Sequence, residues 1–251
     1  MKTGSGKAVC DRTATGFPSI QIPGSCAASW QPSARRGTRH ARKNNPPVAL
    51  TDARLPTPIE ETPLDMFRHV METNFFGGLR CIKAVIPSMR ERRRGTIVNV
   101  TSVAGRIAIA AHASYAASKW AFEALSECLA QEMRAFNVRV AIVEPGVIAT
   151  PIVTRLRPLQ ANSPYPHSRR LRALFGAPRA KPTPPSVVAD AVREIVDGGS
   201  WQLRYPVGPD ALPLLKVRVS KTDEQIIDEA SQSDEAFVAR VKRDYGLEVA
   251  L

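Results

Sequence analysis

Asn99-Val100-Thr101-Ser102-Val103-Ala104-Gly105, followed ten residues later by Tyr115-Ala116-Ala117-Ser118-Lys119, is the stretch on which the fold turns. It continues Thr96-Ile97-Val98-Asn99-Val100, a short β-branched run with the pattern of a buried strand. A loop of small residues, Ser102 to Ala113, leads into a long helical pattern from about Ser114 to Phe136. Val138 to Val143 is a second strand, closed by Glu144-Pro145-Gly146. Strand, helix and strand at these lengths predict an α/β fold: a parallel sheet with crossover helices.

Working outward, Thr62-Pro63-Leu64-Asp65 predicts a helix start, with Thr62 as capping hydroxyl, Pro63 at the first helical position and an acid in the first turn. Apolar residues then recur at helical spacing through Phe67, Val70, Met71, Phe75, Leu79, Ile82 and Ile86, up to the basic loop Arg90 to Gly95. Downstream, Thr150 to Pro185 is rich in proline and arginine and predicts a long loop with short helical pieces. Pro185 and Ser186 open a helix to about Val196, and Thr222 to Ile227 and Ser233 to Tyr245 predict two more, the last stopped by Gly246. There are no internal repeats.

Composition narrows the function classes. The 251 residues are 43% apolar, and no apolar run approaches the roughly 20 residues of a membrane-spanning helix, so a soluble, cytoplasmic protein is expected. Cys10, Cys26, Cys81 and Cys128 are scattered, without the short spacings of a metal site, and read as buried or incidental thiols in a reducing compartment. The net charge of +12 is unevenly spread: residues 1–54 hold nine Lys/Arg against Asp11 and Asp52, which is +7, and the rest contributes +5. A nucleic-acid protein places its basic face in the folded part, so no nucleic-acid partner is expected. The acid-poor start also has the composition of a transit peptide, but without a clear amphipathic helix.

Tyr115 and Lys119 lie four apart and share one helix face, and Ser102 ends the preceding strand. In a parallel sheet, strand ends and the helices after them line the ligand crevice. A free phenol titrates near 10, too high for acid/base work at neutral pH, and a neighbouring ammonium is expected to lower it. Tyr115 can then exchange a proton with a carbonyl or alcohol oxygen while Ser102 donates a hydrogen bond to it. Hydride must come from a nicotinamide, since no side chain supplies one.

These two motifs, followed in order by Pro145-Gly146-Val147-Ile148-Ala149-Thr150, resemble the short-chain dehydrogenase/reductases from about Pro58 onward. The resemblance implies a Rossmann-like sheet with flanking helices, a catalytic domain over 55–251 and an NAD(P)-dependent interconversion of a secondary alcohol and a ketone or aldehyde. It implies Tyr115 as acid/base and Lys119 as the residue that binds the nicotinamide ribose and tunes it. Ser102 becomes the substrate-oxygen donor, and Asn74, in Glu72-Thr73-Asn74-Phe75-Phe76-Gly77, the support of a proton-relay water. Pro145, Gly146, Val147, Ile148 and Thr150 would pack on the nicotinamide and its phosphate. The segment Pro151 to Pro184 takes the place of the substrate lid, with Tyr165 and Phe175 available to a small lipophilic alcohol or ketone, steroid- or retinol-like. A homodimer or homotetramer formed through helices near 64–89 and 114–136 is implied as well.

The pattern breaks in residues 1–54, an irregular segment that leaves the N-terminal strands incomplete. The family's glycine-rich phosphate turn faces Cys10-Asp11-Arg12-Thr13-Ala14-Thr15-Gly16-Phe17-Pro18, where Gly16 alone matches. Pro18 fixes φ and removes an N–H from the cradle. Asn44-Asn45 opens a second cofactor motif, but Pro46-Pro47 follows, and only 28 residues separate Gly16 from Asn44. Two crossovers cannot fit there. A shifted reading frame would account for the first break if Cys-Asp-Arg is written TGT GAC CGG, which reads Val-Thr-Gly one base later; the coding DNA decides it. The residue that selects NAD or NADP falls in the missing stretch, so either cofactor stays open. The alternative reading is a non-catalytic remnant unable to bind cofactor, acting as a dimerising scaffold.

Overall fold

The computed structural model describes residues 57–151, 159, 162–177 and 182–251. All belong to one compact unit, Pro47–Leu251. Gly16, Asn44 and the rest of the N-terminal segment lie outside the described residues.

Helix α1 (Leu64–Met71) runs through a π-helical turn (Glu72–Phe76) into α2 (Gly77–Glu91). The helix begins where the sequence predicts, but Thr62 does not cap it. Its hydroxyl donates backward to the carbonyls of Pro58 at 2.7 Å and Thr57 at 3.2 Å. Pro63 has the extended backbone of a helix-preceding residue and stands at the N-cap itself. Gly78 permits the close approach of α2 to its neighbour, since a Cβ there would lie 2.6 Å from the Phe122 ring.

Strand β1 (Gly95–Val100) follows, then a 3-10 turn (Val103–Gly105), α3 (Ala113–Arg134) and β2 (Val138–Pro145). The two strands are parallel, paired from Gly95 with Val138 to Val100 with Val143. The predicted strand–helix–strand unit is therefore present, with α3 as the connection. Its core is Ile82, Ile97, Phe122, Leu129, Met133, Val138 and Val140, so α2 and α3 pack on the same face of the sheet. Ala141, Val143, Ile195 and Val207 form a second cluster.

The C-terminal part contains more than the sequence indicated. Helix α4 (His167–Gly176) occupies part of the predicted loop. Helix α5 (Ser186–Gly198) precedes β3 (Arg204–Val207), a third parallel strand paired with β2 from Ile142 with Arg204 to Pro145 with Val207. Then come α6 (Ala211–Val219), α7 (Asp223–Ser231) and α8 (Asp234–Tyr245). Thr222 and Gln225 form a reciprocal capping box at α7. Gly246, at φ 65°, ends α8 as predicted. Strand β3 escapes sequence patterning because it is four residues long and contains Pro206, which an edge position tolerates. No helix among the described residues is long and apolar enough to cross a membrane.

Candidate active site

The C-terminal ends of β1 and β2 and the start of α3 bring the predicted centre together. Ser102 follows β1 directly, its backbone extended, and its hydroxyl accepts from the Ala104 N–H at 3.1 Å. The Ser102 hydroxyl is close enough to the Tyr115 phenol to act on its titration. Lys119, one turn along α3, places its Nζ 5.6 Å from the centroid of the Tyr115 ring and donates to the Val100 carbonyl at 3.2 Å. That is one of three ammonium donors. The other two have no hydrogen-bond partner among the described residues, and a vicinal diol such as a ribose fits them.

Burial pushes the Tyr115 phenol above its usual value, and the Ser102 hydroxyl pulls the other way. This corrects the expectation that the ammonium lowers the phenol: desolvation outweighs any such effect. The same desolvation lowers Lys119 to about 8, opposed by the charge of Glu123. Lys119 is thus still mainly charged at neutral pH, with less margin than an ordinary lysine.

Asn74 sits in the π-helical turn, a distortion that often marks functional positions. It does not face solvent as a plain polar residue. Its amide donates to Ser118 Oγ at 3.0 Å, and Ser118 Oγ donates to the Tyr115 carbonyl at 2.7 Å. Asn74 is therefore joined to the backbone that carries the phenol.

The loop after β2 is tethered at several points. The Gly146 N–H bonds the Val207 carbonyl at 2.9 Å, and the Val147 N–H bonds Asp210 Oδ2 at 2.9 Å. Ile148 bridges to Thr183, and Ala149 donates to the Thr183 carbonyl at 2.9 Å. Thr150 closes back on the Ile148 carbonyl. Ser102 Oγ lies 3.4 Å from the Pro145 carbonyl, so this loop borders the centre. Asp210, which the sequence reading missed, holds the loop from the N-cap of α6. The signal was its place in Gly208-Pro209-Asp210, a turn leading into an apolar run.

His112 was also missed. Its ring stacks on Tyr115 with centroids 5.0 Å apart and meets the edge of Phe175 at 5.6 Å. Of the two predicted lid aromatics, Phe175 therefore reaches the centre, while exposed Tyr165 bonds Glu60 instead. Burial lowers His112 to about 4 from its ordinary 6.5, and its buried Nδ1 has no hydrogen-bond partner among the described residues. The sign follows from linkage. The contribution of neutral His112 is complete above pH 6.5 and is lost as pH falls toward 4, where protonation of the unfolded state costs about 3 kcal/mol of stability. His112→Phe keeps a ring on Tyr115 and removes the titration. The parent should lose about 3 kcal/mol more than the variant between pH 7 and pH 4 in urea unfolding. Parallel curves for the two would show that His112 is not buried neutral.

Gly105 explains how the turn after Ser102 comes so near α3. A Cβ there would lie 2.8 Å from Glu123 Cγ and 3.2 Å from the Lys119 carbonyl. The second contact is backbone and cannot swing away. Gly105→Ala should cost about 1–3 kcal/mol by thermal unfolding. An unchanged midpoint would mean that the turn and α3 are not in contact.

Residues 51–161 match the family model described as short chain dehydrogenase. An uncharacterized oxidoreductase of Schizosaccharomyces pombe is 30% identical over 192 residues, 76% of this chain and 77% of the yeast protein. Retinol dehydrogenase 8 of Bos taurus is 40% identical over 109 residues, 43% of this chain but only 35% of the bovine protein. Among solved structures, a short-chain dehydrogenase from Streptomyces avermitilis is 31% identical with a TM-score of 0.58, over 68% of this chain and 63% of its own. A short chain dehydrogenase from Burkholderia cenocepacia, solved in complex with NADP, shares the fold at 24% identity and a TM-score of 0.53, over 71% of this chain and 65% of its own. The strand end, the tyrosine helix and the loop after β2 all fall within residues 51–161, and the chain belongs to the short-chain dehydrogenase family.

Proposed function

We propose that this chain is an NAD(P)-dependent oxidoreductase that interconverts a secondary alcohol and a ketone or aldehyde, with Tyr115 as the acid/base. The observation that carries the reading is the meeting of the Ser102 hydroxyl, the Tyr115 phenol and the Lys119 ammonium at one strand end. A nicotinamide dinucleotide, when bound, supplies the hydride equivalent that no side chain offers.

The protein's own residues handle the proton and the geometry. In the reductive direction Tyr115 gives its phenolic proton to the carbonyl oxygen as the carbonyl carbon gains hydride, leaving a phenolate and an alcohol. Ser102 donates to the same oxygen and holds it against Tyr115. Lys119, with two donors free of partners among the described residues, takes the ribose hydroxyls. Asn74, through Ser118, fixes the backbone of Tyr115. Pro145, Gly146, Val147, Ile148 and Thr150, braced by Asp210 and Thr183, form the wall for the nicotinamide.

Phe175 and His112 make an apolar, aromatic border to Tyr115, which suits a lipophilic substrate. Free, exposed Cys81 and Cys128 fit a reducing compartment such as the cytoplasm. Exposed Phe76, Val85 and Trp120 on the π-helical turn, α2 and α3 give a second copy of the chain an apolar face to pair with.

Titration of the full chain with NADH and NADPH, followed by nicotinamide fluorescence, tests the reading. Saturable binding of one or both is expected, and it should weaken in Lys119→Met. Failure of both to bind would leave a non-catalytic remnant.

A further inference from the structure

Glu123 is only 5% exposed and lies one helical turn beyond Lys119 on the same face of α3. The Thr101 hydroxyl donates to its Oε1 at 2.5 Å, and Thr101 is the residue before Ser102. Its Oε2 accepts from Arg204 Nε at 3.1 Å, while Arg204 also reaches Glu127 at 2.6 Å. Behind Arg204 lies Glu144, with no exposed surface, 3.6 Å from Arg204 and 3.5 Å from Arg106. A buried ion pair is poor evidence for stability, because apolar packing of the same volume does as well. The network therefore calls for another explanation, and its neighbours provide one: Thr101 precedes Ser102, Glu144 precedes Pro145, and Glu123 follows Lys119 by one turn.

We propose that Glu123 is a positioning residue for the Ser102–Tyr115–Lys119 centre: it keeps the Lys119 ammonium charged inside the crevice and fastens the lysine's helix to the strand end that carries Ser102. This rests on the centre assigned under Proposed function. Tyr115 and Glu123 lie one turn to either side of Lys119 on its own helix, and the charged groups joined to Glu123 from the adjoining strands and turn are Arg204, which pairs with it, and Glu144 and Arg106 beyond. Burial drives Lys119 toward its neutral form, and Glu123 is the charge that opposes it. A neutral amine would lose its charge and one of its three donors. Thr101 and Arg204 in turn hold the carboxylate in place.

The test reads Lys119 directly and needs no turnover. In full-length protein with 15N-labelled lysines, the signal lost in Lys119→Arg identifies Lys119. Glu123→Gln should lower its titration midpoint by roughly one pH unit or more. Glu123→Asp, which keeps the charge, and Glu127→Gln, which removes an acid one turn farther along, should leave it near the parent value. In the unsubstituted protein, 13C labelling of glutamate should show the Glu123 carboxyl signal responding where Lys119 deprotonates. That measurement stands even if Glu123→Gln does not fold. An unmoved midpoint in folded Glu123→Gln, or no response of that signal to Lys119 in the parent, overturns the proposal. If the midpoint moves while the chain binds neither NADH nor NADPH, the positioning role survives and the oxidoreductase reading fails.

Discussion

Tyr115→Phe should reduce turnover by about 10²–10⁴-fold, because the ring remains and only the exchangeable proton is removed. Stability should change by no more than about 1 kcal/mol, the worth of one hydrogen bond. The split between the two readouts matters. Burial holds the phenol above its ordinary value, so Tyr115 carries its proton at neutral pH. The rate in the parent should accordingly rise toward alkaline pH in the oxidative direction, where Tyr115 must accept the proton. Equal rates for parent and variant would place the chemistry elsewhere. A variant that loses rate and fold together would leave Tyr115 as a packing residue.

The second large effect belongs to Arg204. Its guanidinium is the shared partner of Glu123, Glu127 and Glu144, two of which are buried. Arg204→Met keeps most of the apolar stem and removes the charge. Breaking a buried pair from one side leaves uncompensated charge, which costs about 3–5 kcal/mol. The smaller figure is expected, since Arg106 remains near Glu144 and Arg204 is itself 29% exposed. The sign of the pH dependence follows from Glu144. Burial, then the charge of Glu123, push its carboxyl above the usual range, while Arg106 and Arg204 hold it down. An acid raised by folding is stabilising while protonated and loses that contribution as pH rises through its folded value. Without Arg204 that value moves higher still, so the deficit of the variant should shrink as pH falls from 7 toward 5. Denaturant unfolding at both values measures it. A deficit that stays constant would mean that Glu144 is not charged in the parent.

Much of the centre was legible in the sequence because its spacing is local. Tyr115 and Lys119 share a helix face through four-residue separation, and the β-branched run at Thr96 to Val100 has few alternatives to a buried strand. Thr62 shows the limit of that logic. The helix start was read to within a residue, but the N-cap is Pro63, and carbonyls of the preceding turn took the Thr62 hydroxyl instead. Arg204 and His112 were illegible for a different reason. Their roles come from partners far along the chain: Glu123 lies 81 residues from Arg204, and Phe175 meets His112 only after α4 folds back. The phenol of Tyr115 makes the same point in electrostatics. Sequence identifies the neighbouring lysine, whereas the larger effect, desolvation, depends on every element that closes over the ring. The phosphate turn expected around Gly16, and the motif beginning at Asn44, belong to the residues that the structure leaves undescribed.

Hydride transfer itself is the most direct test. The full chain would be mixed with NADH or NADPH deuterated on both faces of nicotinamide C4 and a lipophilic ketone, and the recovered alcohol analysed by mass spectrometry. One deuterium on the carbinol carbon, present with the parent and missing with Tyr115→Phe, is the predicted result. Alcohol that carries no deuterium, or none formed with either cofactor across a panel of ketones, would contradict it.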